Sequence, residues 1–420
     1  MLKIIRSFPP LGWVLIITIL LIGCTTSTTT ENPRPVSIAE INALKLESSP
    51  DLKALQRALG YSIEYYKRLP TDQRFQYGSV EYSPEEMIAS HQHFLRILDL
   101  PEVERLEKLQ QDFLWFESLN EKNQAFFTGY YEPLLEGSLN ESEKFPVPLY
   151  GVPSDLVTVN LSNFDEKYGN GILRGKIVDQ KFVKYDDRDE ISYQNSLQGR
   201  ATPLAWVNND IELFFLQIQG SGVIELPNED LYRVNYADQN GHPYRAIGKI
   251  LLGEIPREKM SLKALKEYLY DHPERVQEIL NYNPSYTFFR HIPGDGPLGN
   301  IEVPLTPERS IAMDHRLVPK GGLVFYETNL PSEISPSEEI LQRFAVVQDT
   351  GGAIRGHGRA DIFWGRGTPA EKIAGPMKEN GRIFLLVARK EVLNTESEIS
   401  TTVAKRLSNE RASYGNSIRN

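Results

Sequence analysis

The hydrophobic period of the chain first changes near Phe126, and that change bounds what it can fold into. Before it, Leu52, Leu55, Leu59 and Ile63 recur at spacings of three and four, the signature of one apolar helix face. Ser83-Pro84-Glu85-Glu86 is a capping box with proline at the first helical position, and Ile88, Leu95 and Leu98 follow on one side. A third helix is expected from Glu102 to Phe116. From Phe126 onward the apolar residues fall in short runs broken by Gly, Pro and Asn, as in Phe126 to Tyr131 and Ile211 to Ile218, which read as strands. A helical interval returns from Ser261 to Leu280, split at His272-Pro273. After Pro304 the pattern is β again: Gly322 to Tyr326, Phe344 to Gln348 and Arg382 to Val387. The expected class is mainly β with a helical N-terminal part (α+β), as two β domains with a groove between them.

The N-terminus carries a second kind of signal. Lys3 and Arg6 are the only charges ahead of an apolar run from Leu11 to Ile22. About twelve residues are too few to span a bilayer, and the pattern is that of a secretory signal, residues 1–23. The run ends in Leu21-Ile22-Gly23-Cys24, which looks like a bacterial lipobox with Cys24 as the lipidated residue. Cys24 is also the only cysteine, so no disulfide is expected. Thr25, rather than Asp, after the lipidated position leans towards the outer membrane. The alternative is an ordinary signal peptide or one membrane helix. Residues 24–48 are rich in Thr, Ser, Asn and Pro and read as a flexible tether; residues 393–420 read as a polar tail.

Composition removes several functions. The net charge of −10 argues against nucleic acid, whose phosphates call for a basic patch. An acidic chain with 10% aromatic residues leans towards a carbohydrate ligand. The seven histidines show no His-Glu-x-x-His spacing, so neither a metal nor another cofactor is expected. Asp349-Thr350-Gly351 matches the aspartic-protease triplet, but that chemistry needs two such aspartates and the chain holds one copy.

The densest polar segment runs from Gln348 to Gly365 and places Asp349 and Asp361 twelve residues apart across a glycine-rich connection. Asp361 precedes Ile362-Phe363-Trp364, neighbours that could desolvate it and raise its pKa, as a general acid requires. A third aspartate, Asp314, lies upstream. The competing reading is that all three cap turns. Gln217 to Gly222 offers amide and hydroxyl groups on a strand followed by a turn, and Thr128 to Pro133 offers a hydroxyl and two aromatic faces. Each could line a sugar groove or simply end a strand.

In this order the segments resemble the MltA family of lytic transglycosylases: Thr128 to Pro133, Gln217 to Gly222, Asn235 to Lys249, Asn283 to Phe289, Pro304 to Ala312, and Asp314 to Gly365. The last resembles the three-aspartate domain, about 304–388, with Asp314, Asp349 and Asp361 as its aspartates. The resemblance implies a double-psi β-barrel domain, residues 49–133 and 268–392, interrupted by a smaller β domain at 134–267, with a glycan strand in the groove. It implies Asp361 as the catalytic acid. Thr128, Tyr130, Gln219 and Ser221 would contact substrate, with Asp314 and Asp349 in supporting roles. The implied reaction cuts the β-1,4 bond between N-acetylmuramic acid and N-acetylglucosamine and leaves a 1,6-anhydromuramoyl end. One acid suffices because the C6 hydroxyl of the substrate is a tethered nucleophile with a high effective concentration. Implied partners are peptidoglycan glycan strands and, through the lipid anchor, a membrane; other cell-wall enzymes are candidates. Two other readings stay open: a non-catalytic peptidoglycan-binding lipoprotein, and a glucanase-like hydrolase needing a second carboxylate, with Glu132 or Glu308 as candidates.

Overall fold

The computed structural model describes residues 33–44, 46, 52–169, 171–294, 296–335 and 340–395. Cys24, the expected signal segment and nearly all of the polar tail lie outside the described residues. Among the described residues no helix is long and apolar enough to cross a membrane.

The tether reading fails for residues 34–44. Strand β1 (Arg34–Pro35) pairs antiparallel with Phe116 and Glu117, and the Arg34 guanidinium bonds the Glu117 and Glu40 carboxylates. Ser37 then opens α1 (Ile38–Asn42) with a full capping box: its hydroxyl accepts from the Glu40 N–H, and the Glu40 carboxylate accepts from the Ser37 N–H. That box starts a helix inside a polar stretch, and Ile41 and Leu44 drop into the main core. α2 (Leu52–Lys67) buries Leu55, Leu59 and Ile63 of the expected periodic face, with Ala58 and Tyr66 beside them, and leaves Leu52 half-buried. A small hairpin of β2 (Phe75–Tyr77) and β3 (Val80–Tyr82) precedes α3 (Pro84–Leu98), which begins at the expected Ser83 box. α4 (Glu102–Asp112) stops short of Phe116. Phe113-Leu114-Trp115-Phe116 instead forms β4 (Phe113–Glu117), because aromatic residues packed on a sheet outweigh weak helical periodicity.

β5 (Ala125–Glu132) leads into the second lobe. Its strands are β6 (Leu134–Ser138) and β7 (Val147–Tyr150), followed by a separate three-stranded sheet of β8 (Val157–Asn160), β9 (Ile172–Val178) and β10 (Lys181–Lys184). α5 (Arg188–Ser192) and β11 (Pro203–Val207) come next. The stretch expected as a strand at Ile211–Ile218 is a helix, α6 (Asp210–Gln219), capped by the Asn209 side chain and ended by Gly220 at φ 78°. Ile211, Leu213, Phe214, Phe215 and Leu216 are all buried, so the helix is apolar around most of its girth and shows no period to read. β12 (Ser221–Glu225) and β13 (Leu231–Gln239) follow, then α7 (Leu262–Asp271) and α8 (Val276–Asn281), parted at His272-Pro273 as expected. β14 (Thr287–His291) closes a six-stranded sheet ordered β14-β13-β12-β6-β11-β7. The second sheet therefore runs on past residue 267, the boundary expected for the insert.

The chain then returns to the first lobe through β15 (Ser310–Met313), β16 (Leu323–Asn329), β17 (Ile340–Asp349), β18 (Arg359–Arg366), α9 (Gly367–Ala374) and β19 (Lys378–Ala388). The sheet order is β1-β4-β19-β16-β17-β15-β18-β5, and β19 pairs with β5 as well. The pairing thus closes on itself through β19, β16, β17, β15, β18 and β5. Alternation sends Phe127, Ile311, Met313, Ala360 and Ile362 into the main core, which α2 and α3 cover. Tyr130, Ala312 and Phe363 point to the opposite face and, with Leu305 and Ile354, form a small apolar cluster of their own. The candidate site sits on that second face.

Candidate active site on the Asp361 strand

Strand register brings the key residues into one row. Asp349 of β17 is the partner of Ala312 in β15, Ala312 is the partner of Asp361 in β18, Asp361 is the partner of Thr128 in β5, and Thr128 is the partner of Lys378 in β19. Two strand spacings, roughly 10 Å, separate the backbones of the two aspartates. The residue between them, Ala312, is buried in the small apolar cluster with Tyr130 and Phe363.

Each carboxylate has a different environment. Asp361 accepts one hydrogen bond, from the Thr128 hydroxyl at 2.6 Å. Burial pushes its pKa up, against the opposing Arg359 charge and the Thr128 bond. Asp349 is engaged on both oxygens: Oδ1 accepts from the Asn300 N–H at 3.0 Å and the Thr350 N–H at 2.8 Å, and Oδ2 accepts from the Tyr130 hydroxyl at 2.9 Å. Burial still pushes Asp349 up to about 6, with the charge on Asp361 adding to the rise. Asp314, fully buried, lies beyond the end of β15. It accepts from Arg316 at 2.8 and 2.6 Å and from the Gly356 N–H at 3.0 Å, and these bonds hold it well below the usual carboxylate range. Asp314 therefore anchors the glycine loop that leads into the Asp361 strand.

That loop ends at Gly358, where φ is +59°; a Cβ there would lie 2.5 Å from the Asn120 nitrogen and 2.8 Å from the Gln124 oxygen. Only glycine tolerates both the conformation and the contact. Gly358 in turn donates to the Ser118 hydroxyl at 2.9 Å and accepts from the Phe126 N–H at 2.7 Å, which sets β18 beside β5.

A cleft of about 160 Å³ opens beside the row. Thr128, Gln219, Met377 and Lys378 are among its lining residues. Gln219 closes α6, and its Oε1 accepts from the Tyr131 N–H at 3.1 Å, linking the second lobe to β5. Ser221, buried at the head of β12 opposite Asn235, takes no part in the Thr128–Asp361 bonding among the described residues. Tyr130 packs tilted against Phe363 and is spoken for by Asp349. The structure thus joins Thr128 to Asp361 and Tyr130 to Asp349, brings Gln219 to the neighbouring strand, and keeps Asp314 at the loop.

Two residues missed in the sequence belong to the site. Arg359 donates to the Thr128 hydroxyl oxygen at 2.8 Å. It stands two residues before Asp361, so strand alternation alone puts both on one face and could have found it. Lys378 has no such local signal, since only register places it opposite Thr128. Neither carboxylate proposed for a hydrolase is free. Glu132 is buried and paired with Arg233 at 2.8 Å, and Glu308, at φ 61°, faces Arg343 at 3.4 Å. Among the described residues no cluster of His, Cys, Asp and Glu could hold a metal ion.

Known proteins carry the same arrangement of segments. Residues 126–290 match the model of the MltA specific insert domain, and residues 309–387 match that of the 3D domain. Membrane-bound lytic murein transglycosylase A of Vibrio cholerae is 31% identical over 274 residues, which takes in 64% of this chain and 66% of the relative, a little under two thirds of its length. Among solved structures, a membrane-bound lytic murein transglycosylase from Agrobacterium tumefaciens is 26% identical with a TM-score of 0.68, covering 84% of this chain and 97% of that one. MltA from Neisseria gonorrhoeae is 27% identical with a TM-score of 0.61, covering 81% and 87%. Two adjacent family models in one chain, with relatives alike in sequence and in fold, place the protein in the membrane-bound lytic murein transglycosylase A family.

Proposed function

We propose that the protein is a lytic transglycosylase of peptidoglycan with Asp361 as its one acid and base. The observation that carries the reading is the state of Asp361: desolvated, raised in pKa, and holding a single hydrogen bond on the face beside the cleft. A carboxyl shifted in that direction holds its proton more firmly than an exposed one and has an oxygen left to deliver it.

Asp361 gives its proton to the O4 leaving oxygen of N-acetylglucosamine as the bond to C1 of N-acetylmuramic acid breaks. The resulting carboxylate takes the proton of the C6 hydroxyl while O6 bonds to C1. The 1,6-anhydro ring closes, no water is consumed, and Asp361 ends protonated as it began. Asp349, with both oxygens occupied, supports the row rather than reacting. Thr128, Tyr130, Gln219 and Ser221 are the proposed glycan contacts, Thr128 and Gln219 from the cleft wall. The closed circuit of strands is read as a double-psi barrel. A lipid on Cys24 would hold the protein at the envelope, on the periplasmic side of the outer membrane.

The test is Asp361→Asn on purified murein, with products followed by liquid chromatography and mass spectrometry. Muropeptides short by one water are expected from the wild type and absent with the variant. Retained anhydro products from a folded variant would sink the assignment. Products with an ordinary reducing end from the wild type would point to a hydrolase instead.

A further inference from the structure

Thr128 stands between two groups, and their chemistry fixes the direction of its proton. A hydroxyl has one hydrogen to give and two lone pairs to receive with. Arg359 Nη2, 2.8 Å away, can only donate, so Thr128 Oγ1 accepts from it. Asp361 Oδ1, 2.6 Å away on the other side, is then the available acceptor for the Thr128 hydrogen. A proton on Oδ1 would reverse this bond and leave the Thr128 hydrogen without its carboxylate acceptor, a costly arrangement.

We propose that Arg359 is a positioning residue for the reaction, acting through Thr128 to commit Asp361 Oδ1 to a fixed hydrogen bond and to leave Oδ2 as the oxygen that exchanges its proton with the substrate. The inference rests on Asp361 being the acid. Arg359 is itself held in place. Its guanidinium lies 5.4 Å from the centre of the Phe126 ring and also donates to the Ala360 carbonyl. The planar fork reaches the carbonyl and the hydroxyl together, which a lysine ammonium on a single stem cannot do. Four groups face the row from the strands around it: Arg359 on β18 itself, Tyr130 on β5, Asp349 on β17 and Lys378 on β19; β15 contributes the uncharged Ala312. Of the two cations, Arg359 alone is bonded into the Asp361 hydrogen-bond chain.

The experiment compares R359M, R359K, T128V and the R359M/T128V double variant in the full chain. It records kcat and KM on purified murein across pH, with thermal melting as the fold control. The alkaline limb of kcat/KM reports the acid, which must be protonated to act. R359M should lower kcat roughly ten- to a hundredfold with KM nearly unchanged, and should move the alkaline limb up by about one pH unit, because a neighbouring cation that favoured the carboxylate is gone. R359K should keep the limb in place and still lose kcat, separating charge from the fork. In the T128V background R359M should cost less than about twofold more, since the route through Thr128 is already cut. An unmoved limb with R359M, or an equal R359M penalty with and without T128V, would overturn the proposal. Full activity of D361N would instead remove the reading beneath it, so the two failures are told apart.

Discussion

Two parts of the three-aspartate region carry the same side chain to opposite ends. At the Asp314 turn a buried carboxylate meets Arg316 and the Gly356 N–H, and is held ionised. In the strand row, Asp361 and Asp349 are half-buried without an ion pair of their own, and burial pushes both towards the protonated form. Burial alone does not make a carboxylate reactive; the charge of its donors decides. Donors that satisfy the charge make a structural anchor. Neutral donors, one on Asp361 and three on Asp349, leave the charge uncompensated and the carboxyl readier to hold a proton.

Four substitutions and one control test this contrast, in falling order of expected effect. D361N should reduce turnover on murein by about a thousandfold, equivalent to ~4 kcal/mol of barrier, with the melting temperature intact. D314N should leave turnover at low temperature close to wild type but cost about 3 kcal/mol of stability, read from denaturant unfolding, because it breaks a buried charged contact. Its pH dependence has a definite sign. A depressed carboxylate contributes stability above its unfolded value, ~3.9, and that contribution fades as pH falls through the acid range. Wild type and D314N should therefore converge in stability in acid. If they keep a constant gap, the anchor is not electrostatic.

Gly358→Ala should cost about 2 kcal/mol through left-handed strain and the close Asn120 contact, with lost activity following the lost fold. Gly352→Ala in the same loop is the control. Nothing lies within 4 Å of the added carbon, and the change should stay within about 0.5 kcal/mol. Between these two lies D349N, which should slow turnover about tenfold, the scale of one hydrogen bond at 1.4 kcal/mol. Asp349 also has the opposite linkage to Asp314. Its folded pKa, about 6, stands above the unfolded value, so the wild type should gain stability relative to D349N as pH falls from about 6 to ~4. An equally dead D349N and D361N, both folded by circular dichroism, would erase the distinction between supporting and reacting aspartates.

Local signals were readable along the chain, and relations between distant segments were not. The Ser83 box and the His272-Pro273 break fell where residue chemistry put them, because each is settled within four residues. The same kind of signal was present and unread at Ser37-Ile38-Ala39-Glu40, where polar composition hid a short capped helix. At α6 the apolar run was too uniform to show a period, although Asn209 and Gly220 marked both ends. Asp361 could be singled out from its apolar neighbours, and Arg359 follows from alternation. Thr128 opposite Asp361 and Lys378 opposite Thr128 depend on register between strands far apart in sequence, which no local pattern encodes.

The partnership of Thr128 with Asp361 also fixes a time of assembly. The two residues are 233 positions apart, and β5 is clasped between β18 and β19, the last two strands of the circuit. Contacts of such long range form slowly, after local ones. The second sheet has all its strands once His291 has been made, before β15 begins. A growing or clipped chain would thus hold every strand of the second sheet without the Thr128–Asp361 pair, and the proposed acid would be assembled only with the final strands.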